Sequence, residues 1–267
     1  MRLLLMAAIV ALIALSQTPS GAQSAAPVVV ELFTSEGCSS CPPADQLLER
    51  LTAAAVDGAR VVALGEHVDY WDRLGWRDRF SSAAFTNRQG LYARRFNLDS
   101  AYTPQMVVDG HAEFVGSDSV AARRAIAKAA AAPHGTMTLV ARLFHSSTCS
   151  GCPEAVERPA LHVVVNVSGL PPIARGDRAD ILVAVTEDAL RSDVKSGENR
   201  GRTLRHAAVV RQLTTVGEAT GPTASAETTI AVQPDWQRER LNIVAFVQQR
   251  RDRGIVAAAS VPLIGRP

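Results

Sequence analysis

The sequence predicts an α/β fold over roughly its first half, followed by a β-rich, sandwich-like second half. Three observations carry this. The elements up to about Ala132 follow the order β-α-β-α-β-β-α. A C-x-x-C pair, Cys38-Ser39-Ser40-Cys41, stands at the first strand-to-helix turn. From Thr136 onward strand-like runs follow one another with few helical patterns between them.

Val28 to Phe33 is a β-branched and aromatic run that ends in Thr34-Ser35-Glu36-Gly37, just before the cysteines. Ala44 to Ala55 then carries Leu47, Leu48 and Leu51 at helical spacing, with Pro42-Pro43 ahead of it. Proline suits a first helical turn, whose N–H groups have no intrahelical partner. This places the helix start near Cys41, with Pro42 first inside, so that Cys38 gains less from the helix dipole. Arg60 to Leu64 reads as a buried parallel strand running into Glu66-His67-Val68-Asp69-Tyr70-Trp71-Asp72. Arg79 to Phe96 is helical in composition, with Gly90 a weak point inside it. Met106-Val107-Val108, Asp109-Gly110 and Ala112 to Val115 spell a hairpin. Ser117 is the expected cap of an alanine-rich helix from Val120 to Ala132, which Pro133-His134-Gly135 ends. Beyond it, 138–144, 161–167, 181–186, 206–213, 228–232, 241–247 and 255–259 read as strands.

Ahead of this lies Arg2 and an apolar run from Leu3 to Leu15, the length of a signal-peptide core and short for a bilayer span. Ser20-Gly21-Ala22 supplies small residues for cleavage after Ala22. The expected organisation is therefore a signal peptide over 1–22, an α/β domain over 27–133 and a β-sandwich-like domain over 136–264. The mature chain has no membrane span by this reading, and the expected location is the periplasm or outside the cell. Net charge is +2 over 267 residues, with no basic tail or arginine block, which argues against a nucleic-acid partner.

The four cysteines form two pairs of one spacing, Cys38/Cys41 and Cys149/Cys152. Two local disulfides or one metal site of four thiolates both satisfy that count. For Cys149 and Cys152, which lack a following helix pattern, a local structural disulfide leads over a relay or metal role. For Cys38 and Cys41 the position is more telling. A thiolate near a helix N-terminus is stabilised, and two cysteines two residues apart can attack and then resolve a mixed disulfide. Strand, cysteine pair, helix and a Thr103-Pro104 step before the hairpin together resemble a thioredoxin-like arrangement, and that resemblance implies that Pro104 is cis and faces the cysteines. Cys38 is expected to be the more accessible, attacking thiol. His67 is a candidate base, and Asp69, two residues on, is a candidate to orient it. A structural histidine accounts for His67 equally well. Tyr70, Trp71 and Trp76 read as packing residues or as an apolar wall for a client. Arg200, Arg202, Arg205 and His206 read as a solvated basic face.

Val30 to Asp45 resembles the signature of an uncharacterised family of exported bacterial thioredoxin-like proteins. His67 to Asp72 with Leu74-Gly75-Trp76, Tyr102 to Gly110, and Gly197-Glu198-Asn199 with Gly201 to His206 are similar to the same family. The resemblance implies a thioredoxin-like domain joined to a β-rich one and carries no settled activity. The functional expectation rests on the cysteine chemistry: thiol–disulfide exchange through Cys38 and Cys41, supported by Pro104, His67 and Asp69. Exported proteins or small thiols are the expected redox clients, with no cofactor and no metal. The alternatives are a non-enzymatic binding or scaffold protein with structural disulfides, or a cysteine metal site.

Overall fold

A computed structural model of the protein describes residues 25–53, 56, 58–147 and 157–263. The expected signal peptide and the Cys149/Cys152 pair lie outside the described residues. The elements are β1 (Ala26–Thr34), α1 (Pro42–Ala53), β2 (Ala59–His67), α2 (Ala83–Arg95), β3 (Gln105–Val108), β4 (Ala112–Val115) and α3 (Ser119–Ala130). They continue with β5 (Thr136–Ser147), β6 (Glu157–Ser168), β7 (Ala179–Glu187), β8 (Leu190–Asp193), β9 (Thr203–His206), β10 (Val209–Ala219), β11 (Ala224–Ala231), β12 (Leu241–Gln249) and β13 (Ile255–Pro262).

The expected thioredoxin-like α/β domain followed by a separate sandwich is not what forms. The chain is mostly β, and one eight-stranded mixed sheet runs through both stretches in the order β13-β12-β7-β10-β2-β1-β3-β4. The physical reason is the free edge of β2. An unpaired strand edge presents a row of unmet N–H and C=O groups, and β10 adds there in parallel at the Val209–Gly65 pair. The Gly65 N–H donates to Ala208 O at 2.8 Å. A Cβ on residue 65 would stand 3.1 Å from Ala207 O, so glycine allows the approach. β7, β12 and β13 then extend the sheet by antiparallel pairing.

The two faces of this sheet carry different cover. On one face, Val28, Val30 and Leu32 of β1 pack with Leu47, Leu48 and Leu51 of α1 and with Ala122 and Ile126 of α3. Each leucine buried there contributes about 2 kcal/mol. Further along the chain, Ile181, Val183, Ile243 and Ala245 meet a three-stranded sheet, β11-β6-β5, through Leu161, Val163 and Val165. On the opposite face, Phe85 of α2 packs against Val29, Leu64, Leu182 and Phe246. β8 and β9 pair with each other as a small third sheet.

Local chemistry sets most boundaries. α1 begins at Pro42, and Cys41 O accepts from Ala44 N at 2.8 Å and Asp45 N at 3.1 Å. Asp109 and Gly110 both take positive φ, 45° and 69°, as the β3–β4 turn requires. Asp118, one residue beyond the expected Ser117, caps α3 by accepting from Val120 N and Ala121 N. Among the described residues no helix is long and apolar enough to cross a membrane.

Candidate functional site

β1 and β2 run parallel, so their C-terminal ends, Thr34 and His67, lie side by side. The cysteine turn leaves from that edge. Cys38 N donates to Ser35 O and Cys41 N to Cys38 O, both at 3.2 Å. Cys38 and Cys41 are joined as a disulfide with Cα atoms 5.4 Å apart. Pro42 and Pro43 carry no N–H, so the helix end behind Cys41 offers fewer free donors than an ordinary one. A hydroxyl partly replaces them, since Ser40 Oγ lies 3.4 Å from Cys38 Sγ.

The expected contrast in accessibility between the two cysteines is absent, because both are 0% exposed. The loop between β8 and β9 is tied down against the turn. Asn199, fully buried, donates from Nδ2 to Glu36 O and to Cys38 O, both at 2.9 Å. Glu198 accepts from Ser39 N at 3.0 Å, which lowers its carboxyl below the ordinary range. Gly197 fits against Trp76, and a Cβ on residue 197 would lie 3.0 Å from Trp76 Cβ. Ser39 and Ser40 are the exposed part of the turn.

Below the disulfide lies a cluster of buried acids and imidazoles. Thr34 Oγ1 donates to Asp45 Oδ1 at 2.9 Å, and burial raises the Asp45 carboxyl above its usual range. His67 Nδ1 pairs with Asp78 Oδ2 at 2.6 Å, and the same oxygen accepts from Glu36 N at 2.8 Å. Burial opposes both charges of this pair. For Asp78 the facing His67 and two backbone N–H donors outweigh burial and hold it at about 2. For His67, Asp78, Asp45 and Glu36 together outweigh burial and raise it. Trp76 Nε1 donates to Glu36 Oε2 at 2.7 Å. His206 Nε2 stands 3.3 Å from Glu36 Oε1, an ion-pair separation without hydrogen-bond alignment. Burial pushes Glu36 up, and His206 and Trp76 bring it below its ordinary value. The two imidazole rings meet edge to face with centroids 4.8 Å apart, and Phe80 closes against both.

The structure brings some expected site residues together and separates others. The Thr103–Pro104 peptide is cis. Pro104 lies beside the start of α1, since a Cβ on Gly116 would be 3.1 Å from both Pro104 Cβ and Ala44 Cβ. Trp71 joins this step to the cysteine turn: its indole donates to Thr103 Oγ1 at 2.8 Å, and its Cβ would be 3.1 Å from a Cβ on Gly37. Asp69 is not the partner of His67. It accepts from Thr86 Oγ1 at 2.6 Å and so ties the chain to α2. β2 ends at His67, so the alternation that put the two residues on one side does not continue to Asp69. Asp78 takes that place instead. The basic face also divides, with Arg200, Arg202 and Arg205 exposed and His206 buried in the cluster. Asp45, Glu36, Asp78, Glu198 and Asn199 carried no assigned role in the sequence. The one signal for Glu198 and Asn199 was their place in the motif 197–206. Among the described residues, no group of three or more His, Cys, Asp or Glu side chains is arranged to hold a metal ion.

The fold and site define a β-dominated protein with a covered C-x-x-C disulfide seated on a buried acid–imidazole cluster. The chain belongs to the family described as protein of unknown function (DUF1223), whose model matches residues 29–142 and 157–248. Among solved structures it is similar to protein AGR_C_4864 from Agrobacterium tumefaciens, with 24% identity and a TM-score of 0.66. That match covers 92% of this chain and 98% of that one. HBP35 of Porphyromonas gingivalis is similar at 14% identity and a TM-score of 0.58, covering 90% of this chain and 76% of that one. At these identities the likeness is one of fold alone. No curated protein matches the chain at a significant level.

Asn199→Ala is expected to loosen the cover over the disulfide. It leaves Glu36 O and Cys38 O without their buried donor, at a cost of about 1–3 kcal/mol. A local opening cheaper by ~1.4 kcal/mol is about ten times more populated. Reduction of Cys38–Cys41 by a soluble dithiol should therefore speed up about tenfold, followed by alkylation and intact mass. An unchanged rate would show that Asn199 does not hold the cover closed.

Proposed function

We propose that Cys38 and Cys41 form a redox-active pair that exchanges with thiols of exported proteins or with small thiols. The observation that carries this reading is the ionisable cluster under the disulfide: Asp45 one turn along α1 from Cys41, with His67–Asp78 and His206–Glu36 behind it. A bond that only stapled the turn would need no such buried groups, which cost free energy to bury. In the oxidised protein a client thiolate attacks Cys38 Sγ, the Cys38–Cys41 bond breaks, and Cys41 leaves as a thiolate. A second client thiol releases the client as a disulfide, so two electrons pass to the pair and each cysteine ends as a thiol. The reverse sequence, starting from the reduced pair, reduces a client disulfide. The clasp 197–199 opens first, because neither sulfur is exposed with it closed. Export, with the leader 1–22 removed, belongs to the same reading, since disulfides persist in the periplasm and outside the cell.

Trapping tests the reading. Cys41→Ser leaves Cys38 to attack with nothing to resolve the product, so mixed disulfides with client proteins or glutathione should accumulate. Cys38→Ser should trap none and should lose exchange activity. If Cys41→Ser forms no adduct even when Asn199→Ala opens the clasp, the disulfide is a structural staple and the scaffold alternative replaces this reading.

A further inference from the structure

Helix α2 crosses the sheet face of β7, β10 and β12 without filling it. Between them is a pocket of about 540 Å³. One part of its wall is apolar, made by Phe85, Leu91, Leu182 and Leu213. Another part carries three guanidiniums, Arg88, Arg94 and Arg253. It is distinct from the cysteine turn, none of whose residues line it.

The three guanidiniums are not equally matched. Arg88 is matched, with its Nε 2.6 Å from Glu31 Oε2. Glu66 Oε1 stands 3.3 Å from the same Nε, with burial and the neighbouring Glu31 pushing its carboxyl above the usual range. Asp180 on the wall is already held by Arg250, whose Nε and Nη2 both donate to Oδ1. Among the described residues the Arg253 side chain has only a neutral hydrogen-bond partner: its Nη2 donates to Gln248 Oε1 at 2.7 Å, the oxygen that Arg88 Nη1 also uses at 3.0 Å. Arg253 Nε is buried and has no hydrogen-bond partner among the described residues. Arg94, exposed at the rim, makes no ion pair among the described residues. A partly buried guanidinium beside another one, short of acceptors, is the arrangement that an incoming anion stabilises most.

Gly90 gives an independent indication. It stands in the interior of α2, where glycine costs about 1 kcal/mol relative to alanine. No close packing requires it, since a Cβ there would meet only Arg94 Nη1, at 3.8 Å. Gly90 does line the pocket. Its missing side chain keeps that space open.

We propose that this pocket binds a small organic carboxylate with an apolar body. The carboxylate would lie at Arg253 and Arg94, and the body against Phe85, Leu91, Leu182 and Leu213. A few polar groups fixing the orientation of a ligand on an apolar wall is the usual make-up of a small-molecule site.

Benzoate, benzyl alcohol and inorganic phosphate separate charge from shape. Calorimetric titration of the full chain is expected to show benzoate binding at least tenfold more tightly than either of the others. Gly90→Leu should fill the pocket and weaken benzoate at least tenfold, while the unliganded protein melts no lower than wild type. Arg253→Gln should weaken it to a similar degree, and the exposed Arg94→Gln, which leaves the core untouched, by several-fold. Benzyl alcohol binding as well as benzoate would overturn the proposal. So would phosphate matching benzoate, undiminished binding by Gly90→Leu, or no binding of benzoate at millimolar concentration.

Discussion

Asp78→Asn is expected to destabilise the protein by about 3–5 kcal/mol, the range for removing one partner of a buried ion pair. Asp78 accepts from His67 Nδ1, Glu36 N and Phe80 N, and it is 2% exposed. An amide in its place can still accept at one atom but turns a donor toward His67 and Glu36 N. The loss should depend on pH in a direction fixed by the two shifts. Asp78 is held at about 2, below its unfolded value, so its contribution is present above an unfolded pKa near 4 and disappears as pH falls toward 2. His67 is raised above 6.5, so its contribution is complete below that pH and is lost as pH rises through the raised value. Wild type and variant should therefore differ most between about pH 4 and 6.5 and converge on both sides. Urea unfolding across that range measures it. A difference below ~1 kcal/mol at about pH 5 would show that the pair does not hold the cluster together.

Gly110→Ala is expected to cost on the order of 4 kcal/mol or more, in the range reserved for steric conflict in the interior. Gly110 has φ +69°, and a Cβ on it would fall 1.9 Å from Arg253 O and 2.7 Å from Arg253 C. Backbone atoms cannot swing aside as a long side chain can. The β3–β4 turn and the β12–β13 turn would have to separate. Their contact includes the bond from Ile255 N to Asp109 O, and Asp109 also holds Val29 N and His134. Thermal unfolding followed by circular dichroism is the measurement. A melting temperature within ~3 °C of wild type would contradict the close approach, since 1 kcal/mol moves a domain of this size by about 2–4 °C.

Legibility in the sequence follows the range of the interaction. The β1 run, the start of α1 at Pro42 and the Asp109-Gly110 turn are local, and each is written in a few adjacent residues. β7 shows how the sheet was missed. Its run Ile181 to Val185 is plainly a strand, but nothing within it says that β10 carries it to the free edge of β2. That join rests on the Gly65–Val209 pair, between residues far apart in the chain. β8 was missed because Leu190-Arg191-Ser192-Asp193 gives only two buried positions, one of them a serine. At the site, Cys38, Cys41 and Pro104 were legible from local motifs. Asp78 and His206 were not, because the irregular segment between β2 and α2 and the β9 strand bring them to His67 from outside any periodic pattern. The bond from Asn199 to Cys38 O joins the cysteine turn to a residue on the far side of the sequence.

The most direct test of the redox reading is the equilibrium between reduced and oxidised Cys38–Cys41 in a series of glutathione ratios. Acid quenching, alkylation and intact mass read the two forms, in a chain carrying Cys149→Ser and Cys152→Ser so that one pair reports. A pair that serves exchange should titrate within the range of exchange proteins, about −120 to −270 mV. A disulfide that stays closed at potentials below about −300 mV behaves as structural bonds do, and that result would contradict the assignment of Cys38 and Cys41 as a redox-active pair.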